Sequence, residues 1–332
     1  MPDEKTTVTE VVTGLGMTGA STLDAALGAR PTSAAGIDPA SWRQLTAARL
    51  EGRHPELFGT AWRNGRAFLE ALDGLRGREP ISVEWKGPHK PPGYDSLPAD
   101  LRVDHVFLVS CKYGSDISGN SSPSNVFDRL LADRSRGAEP WYATVAPAAY
   151  TRFYAEVRRA IDPGLPAVVD DLGAEDVAAI RGACNRRWPD ELVEPWREFS
   201  AEVATATAGR WRANLPTKAA RELMLWRLLR LETSPYFVLG TTKRGAAIRY
   251  RVATPWDWRQ AFRLRRFTVD AVVAGQPVVA WHAEVDDVAA GTARLVEGEI
   301  EIRWSHGRFS AVEAKLHLKT PPADVPGYFP IE

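Results

Sequence analysis

The stretch Val103-Asp-His-Val-Phe-Leu-Val-Ser-Cys-Lys-Tyr113 places the strongest constraint on how this chain can fold. In an extended strand alternate side chains share a face, so Asp104, Val106, Leu108, Ser110 and Lys112 point one way and Val103, His105, Phe107, Val109 and Cys111 the other. Both faces are largely apolar. Such a strand needs cover on both sides and belongs at the centre of a layered α/β unit. The lysine at its end must reach solvent or meet an anionic partner.

The flanking sequence supplies candidate layers. Asp38 before Pro39 reads as a helix start, with Trp42, Leu45 and Leu50 at helical spacing, and Trp62, Phe68, Leu69 and Leu72 repeat the pattern within 61–75. Residues 81–87 alternate as a strand, and a Pro/Gly-rich loop over 88–98 leads into the strand at 101–113. The Ser/Asn/Gly loop over 114–125 precedes a helix opening at Pro123 or Ser124, where backbone N–H groups could receive a phosphate. It lacks the Gly-Lys-Ser/Thr of a P-loop. Helical periodicity runs from 147 to 232, and from Tyr236 onward the period switches to two, with about six strands of mainly antiparallel β structure expected. Residues 1–37, rich in Thr, Gly, Ala and Ser, read as a loosely ordered arm with one short helix near Leu23.

Composition narrows the function classes. Among 332 residues, 42 Lys+Arg balance 42 Asp+Glu, so contact with a polyanion has to come from a local patch. Two cysteines, Cys111 and Cys184, give neither a disulfide framework nor a zinc site, and the six histidines show no ligand spacing. A reducing, cytoplasmic compartment and no membrane span are expected.

Val109-Ser110-Cys111-Lys112-Tyr113, ending an apolar strand that follows a helix and an acid-bearing strand, resembles the signature of the PD-(D/E)xK nuclease superfamily over about residues 60–135. The resemblance implies an α-β-β-β-α core, a restriction-endonuclease-like α/β unit (38–140); with the periodicity beyond it, the chain reads as an α+β protein that continues in a helical region (141–234) and a basic β domain (235–332). The resemblance also implies Mg²⁺ held by acidic residues on neighbouring strands, a lysine that orients the attacking water, and a role in bacterial restriction or phage defence. Independently of any family, phosphodiester hydrolysis calls for a hard cation and a positive group near the nucleophile, which an acid-x-Lys pair brings to one strand face. Ser110 departs from the pattern, standing where Asp or Glu is usual. Asp104 would lie about 26 Å from Lys112 on a straight strand. Glu84 on the preceding strand is the alternative acid, and Glu84-Trp85-Lys86 is itself an acid-x-Lys triplet that a hairpin would bring opposite Asp104. Expected catalytic residues are thus Lys112 or Lys86 with Glu84 and Asp104, the two acids also holding the metal; Glu70 could join them. A third triplet, Glu313-Ala314-Lys315, sits in a charge-dotted strand that reads as a solvated face.

A basic, aromatic-interleaved stretch runs from Lys243 to Arg266, with Arg249 and Arg251 sharing one strand face and Arg263 and Arg265 another. Arginine forks grip phosphates and aromatic faces stack on bases, so these four are the expected nucleic-acid contacts, with DNA favoured over RNA. The competing reading is a charged outer sheet face balanced by Glu284, Asp286, Asp287, Glu297, Glu299 and Glu301. In that case the chain is a non-catalytic nucleic-acid- or protein-binding component. A homodimer or a partner subunit of a defence system completes the expected partners.

Overall fold

The computed structural model describes residues 3–87, 99–114, 117–132, 140–184, 187–273 and 275–331. Along the chain run helices α1 (Glu4–Gly16), α2 (Leu23–Ala29), α3 (Pro39–Leu50), α4 (Pro55–Glu70), α5 (Pro123–Phe127), α6 (Trp141–Val145), α7 (Pro147–Ile161), α8 (Ala174–Cys184), α9 (Asp190–Ala213), α10 (Lys218–Leu228) and α11 (Pro255–Ala261). The strands are β1 (Ala34–Ala35), β2 (Val83–Trp85), β3 (Leu101–Val103), β4 (Phe107–Tyr113), β5 (Ile117–Ser121), β6 (Tyr236–Thr241), β7 (Ala247–Val252), β8 (Phe262–Val273), β9 (Pro277–Asp287), β10 (Thr292–Trp304), β11 (Val312–Leu318) and β12 (Tyr328–Pro330). The protein is mixed α+β and divides into two compact units, each assembled from separated stretches of chain.

The first unit comprises Met1–Asp116, Leu231–Ala261 and Pro321–Glu332. Its sheet has the order β1-β2-β3-β4-β6-β7-β12; β2, β3 and β4 form an antiparallel meander, and β6 lies parallel to β4. The amino-terminal stretch expected as a loose arm is instead a core helix. Val8, Val11, Val12 and Leu15 recur at i, i+3, i+4 and i+7 and are buried, a stripe masked by the threonines around it. Those threonines are accommodated because Thr9 and Thr13 donate their hydroxyl hydrogens to the carbonyls of Lys5 (2.9 Å) and Thr9 (2.6 Å). Helix α3 begins as the sequence predicts, with the Asp38 carboxylate accepting from the Ala40 and Ser41 amides. Phe68 of α4 meets Phe107 and Phe237 edge to face, at 5.7 and 4.9 Å between centroids, and ties the helix to β4 and β6.

The strand expected over 101–113 is in fact a hairpin. Asp104 (φ 50°) and His105 (φ 61°) adopt the left-handed conformation, Val106 N–H bonds Val103 O at 3.0 Å, and β3 folds back on β4 with Leu101 opposite Val109. Asp tolerates this conformation better than most residues. Here its carboxylate also secures the turn, accepting from the amides of Ile81 (2.7 Å) and Ser82 (3.2 Å) and from Arg78. Burial alone would push the Asp104 carboxyl upward, but the Arg78 guanidinium and the two amides outweigh it and hold it below the ordinary carboxylate range. Its contribution is therefore present above the unfolded-state pKa of about 3.9 and is lost as pH falls through the lower folded value. Asp104→Ala is expected to destabilise this unit by about 2 kcal/mol at pH 7, a difference that shrinks once the pH falls below about 4 in denaturation measured across pH.

The second unit comprises Ile117–Arg230 and Phe262–Thr320, with sheet order β5-β11-β10-β9-β8. Residues 235–332, expected as one basic β domain, are thus shared between two sheets: β6, β7 and β12 join the first, and β8 to β11 form most of the second. The helices over 141–230 are likewise the second unit's own layer rather than a separate region, and part of the expected Ser/Asn loop is the edge strand β5, paired with β11. The alternation read from the sequence survives here: Trp281, Ala283, Val285, Val296, Ile300, Ile302 and Trp304 are buried, while Glu284, Asp286, Glu297, Glu299 and Glu301 occupy the intervening positions. Gly298 lies opposite Trp281, and a Cβ there would enter the indole ring.

Candidate active site at the carboxyl ends of β4 and β6

Folding β3 back on β4 decides which acid shares the lysine's end of this sheet face. The Asp100 amide bonds Val109 O at 2.8 Å, and the Lys86 amide bonds Asp100 O at 3.0 Å, so Lys86 just past β2, Asp100 just ahead of β3 and Ser110 on β4 stand across from one another. Strand alternation then places Glu84, Lys86, Asp100, Arg102, Ser110 and Lys112 on one sheet face. Ser110 is fully buried and Lys86 is 6% exposed.

Asp100 is the centre of this group. Strand β3 starts only at Leu101, so the Cys111 amide has no ladder partner at that point, and Asp100 Oδ2 accepts its hydrogen at 2.7 Å. The same oxygen is 3.4 Å from the Ser110 hydroxyl, while Oδ1 has no hydrogen bond among the described residues. On α1, Glu10 accepts from the Trp85 indole at 2.7 Å. Burial, reinforced by the charges of Asp100 and Glu10, raises the Cys111 thiol well above its usual pKa, so this cysteine stays a neutral filler between two acids.

Strand β6 closes the other side, with Ser110 opposite Val238 and Lys112 opposite Gly240. From α4 the fully buried Asn64 side chain reaches this edge, where its Nδ2 donates to Gly240 O (3.0 Å) and to the Tyr113 hydroxyl (3.2 Å). Its Oδ1 accepts from Arg249 Nε at 2.9 Å. Tyr113 in turn bonds Thr13 at 2.6 Å, and because the Thr13 hydroxyl hydrogen is committed to Thr9 O, the tyrosine is the donor.

The expected site residues are only partly gathered here. Lys112 and Lys86 belong to the group. Glu84 lies two residue pairs from Lys86 along the same face, opposite Arg102, and is held by it at 2.6 Å. Asp104 is at the hairpin turn, the far end of β4 from Lys112, with its carboxylate turned to Arg78; Glu84 faces Arg102 rather than Asp104, so the two acids expected to share a metal do not converge. Glu70 is bound to Arg66 on the surface of α4. Sequence reasoning missed Asp100, Glu10 and Asn64. For Asp100 the available signal was an acid directly ahead of the apolar Leu101-Arg-Val103, legible only once the turn at Asp104 is known.

The four expected phosphate contacts fall on different sheets. Arg249 and Arg251 are on β7, where Arg249 holds Asn64, and Arg251 lies over Phe329 (5.0 Å) with Asp73 at 3.7 Å. Arg263 and Arg265 are on β8, and Arg265 pairs with Asp286 at 3.4 Å while the neighbouring Arg266 faces Glu284 at 4.0 Å. The triplet around Lys315 continues this balance, since Glu313 takes both Arg303 (3.2 Å) and Lys315 (3.6 Å). The outer face of the second sheet is thus largely charge-compensated across its strands.

No family model, curated protein or solved structure matches the chain. Among the described residues no three His, Cys, Asp or Glu side chains cluster as a metal-holding group, and no helix is long and apolar enough to cross a membrane.

Proposed function

We propose that this protein is a metal-dependent nuclease that hydrolyses phosphodiester bonds, DNA in the first instance, at the Asp100–Ser110–Lys112 edge of the first unit. The observation that carries this reading is that an antiparallel meander, whose last strand is parallel to β6, sets Asp100 against the Ser110 hydroxyl and the Cys111 amide, on the sheet face that also bears Lys112. That supplies an acid on the neighbouring strand although position 110 of the triplet is a serine. Helix α4 followed by β2, β3 and β4 matches the opening of the α-β-β-β-α order that the PD-(D/E)xK resemblance implies, while the next helix, α5, belongs to the second unit.

Mg²⁺ takes one or two carboxylates and completes its shell with water and substrate oxygens, so the donor set fits it in a minimal form: Asp100 through Oδ1, with the Ser110 hydroxyl as a neutral oxygen nearby. When bound, such an ion supplies positive charge against the nonbridging phosphate oxygens. The chain's own residues do the rest. Lys112 orients the attacking water and offsets charge building at phosphorus, Ser110 and the Cys111 amide fix the Asp100 carboxylate, and Lys86 adds a second cation to the same row. Glu84 is neutralised by Arg102 and takes no part.

The deciding experiment incubates plasmid DNA, single-stranded DNA and RNA with the protein and Mg²⁺ or Mn²⁺. Metal-dependent cleavage that is lost in Lys112→Ala and retained in Glu84→Gln supports the site. A wild-type protein that cleaves none of the three, while retarding nucleic acid on a gel with steep salt dependence, makes it a binding component instead.

A further inference from the structure

Lys112 acts at the site only if its backbone is held in place, and the structure puts an unusual device behind it. Gly240, its partner on β6, sits so close that a Cβ would collide with the Lys112 carbonyl oxygen and carbon. A glycine is therefore required, yet glycine leaves the local backbone free to shift. Besides the pairing of β6 with β4 and β7, what restrains it is Asn64, fully buried on α4, whose amide donates to Gly240 O at 3.0 Å.

The orientation of that amide is dictated from both ends. Arg249 can only donate, so it requires the Asn64 oxygen on its side, at 2.9 Å. The Gly240 carbonyl can only accept and requires the nitrogen. Tyr113, next to Lys112 in the chain, takes the second Nδ2 hydrogen and passes its own to Thr13. Every hydrogen on the path Arg249–Asn64–Tyr113–Thr13–Thr9 thus has one direction, and the path joins α1, α4, β4, β6 and β7. We infer that Asn64 is a positioning residue that sets the placement of Lys112 through the Gly240 carbonyl, with Arg249 as the anchor of the relay rather than a phosphate contact. This rests on the assignment of Lys112 as the working lysine.

The test compares wild type with Asn64→Ala, Asn64→Asp and Arg249→Ala by two readouts: kcat and KM for Mg²⁺-dependent plasmid cleavage across pH, and the rate of acylation at Lys112 by a lysine-selective reagent, followed by mass spectrometry. Asparagine and aspartate have nearly the same size, but aspartate presents an oxygen to the Gly240 carbonyl. If the hydrogen-bond direction matters, Asn64→Asp falls with Asn64→Ala: kcat drops about 100-fold at little-changed KM, and the Lys112 acylation rate shifts in both. Arg249→Ala, at a half-exposed position, is expected to give the same pattern more weakly and serves if the Asn64 variants do not fold. Folded variants with wild-type kcat and acylation rate overturn the inference, as does Asn64→Asp behaving like wild type. If wild type cleaves nothing but the acylation rate shifts, the nuclease reading fails and the positioning role stands.

Discussion

Asp100→Asn is expected to lower Mg²⁺-dependent cleavage by about 1000-fold while leaving the first unit folded. Asparagine keeps an oxygen to accept the Cys111 amide and the Ser110 hydroxyl, so the contacts that join β3 to β4 survive. What disappears is the negative charge at the only carboxylate in the row of Lys86, Asp100 and Ser110, and with it the attraction for a hard cation. The comparison that gives the number meaning is Glu84→Gln, two residue pairs away on β2, where the carboxylate is already engaged by Arg102. Rates measured under single-turnover conditions with matched thermal stability would show a deep loss for Asp100→Asn and little for Glu84→Gln. The reverse order would return the metal site to Glu84 and remove Asp100 from it.

The second large effect is on stability. Helices α1 and α4 meet backbone to backbone: a Cβ on Gly65 would strike the Thr13 carbonyl oxygen and lie 2.8 Å from Gly16 Cα. Neither obstacle is the flexible end of a side chain, so the helices would have to part, and they carry Thr13 and Asn64, two members of the relay behind Lys112. Gly65→Ala is expected to cost about 3 kcal/mol, the upper part of the usual range for overpacking, and to raise hydrogen exchange across α1 and α4. Protection in α9, which belongs to the other unit, should stay unchanged. An unchanged exchange rate in α1 would show that the close approach is not a constraint.

Short-range chemistry makes much of this protein legible from its residues alone. Asp38 with Pro39 marks the start of α3 because the capping oxygen and the fixed proline φ act over three residues. Helices α7 to α10 follow from 3.6-residue periodicity, and β8 to β11 from strict alternation, because each has one face in a core and the other in solvent. The same alternation disclosed the charged outer face, although only pairing between strands showed Arg265 meeting Asp286 and Lys319 meeting Glu299 (2.6 Å). Helix α1 was legible in principle from Val8, Val11, Val12 and Leu15, but threonine and glycine between them diluted the pattern.

The amino-acid sequence by itself thus determined most of the element types and helix starts, the apolar character of β4 and the nature of the lysine at its end. Tertiary structure alone decided the membership of the sheets and the composition of the site. The apolar run from Leu101 to Tyr113 reads equally well as one long strand or as two short ones. The balance is tipped at Asp104 by partners more than twenty residues away in sequence, Arg78, Ile81 and Ser82, which offset the cost of a left-handed turn. With the turn made, Asp104 is spent on structure and Asp100 arrives beside Ser110 and the Cys111 amide, on the face that bears Lys112. Pairing register is a non-local property, and a site built across strands inherits that dependence.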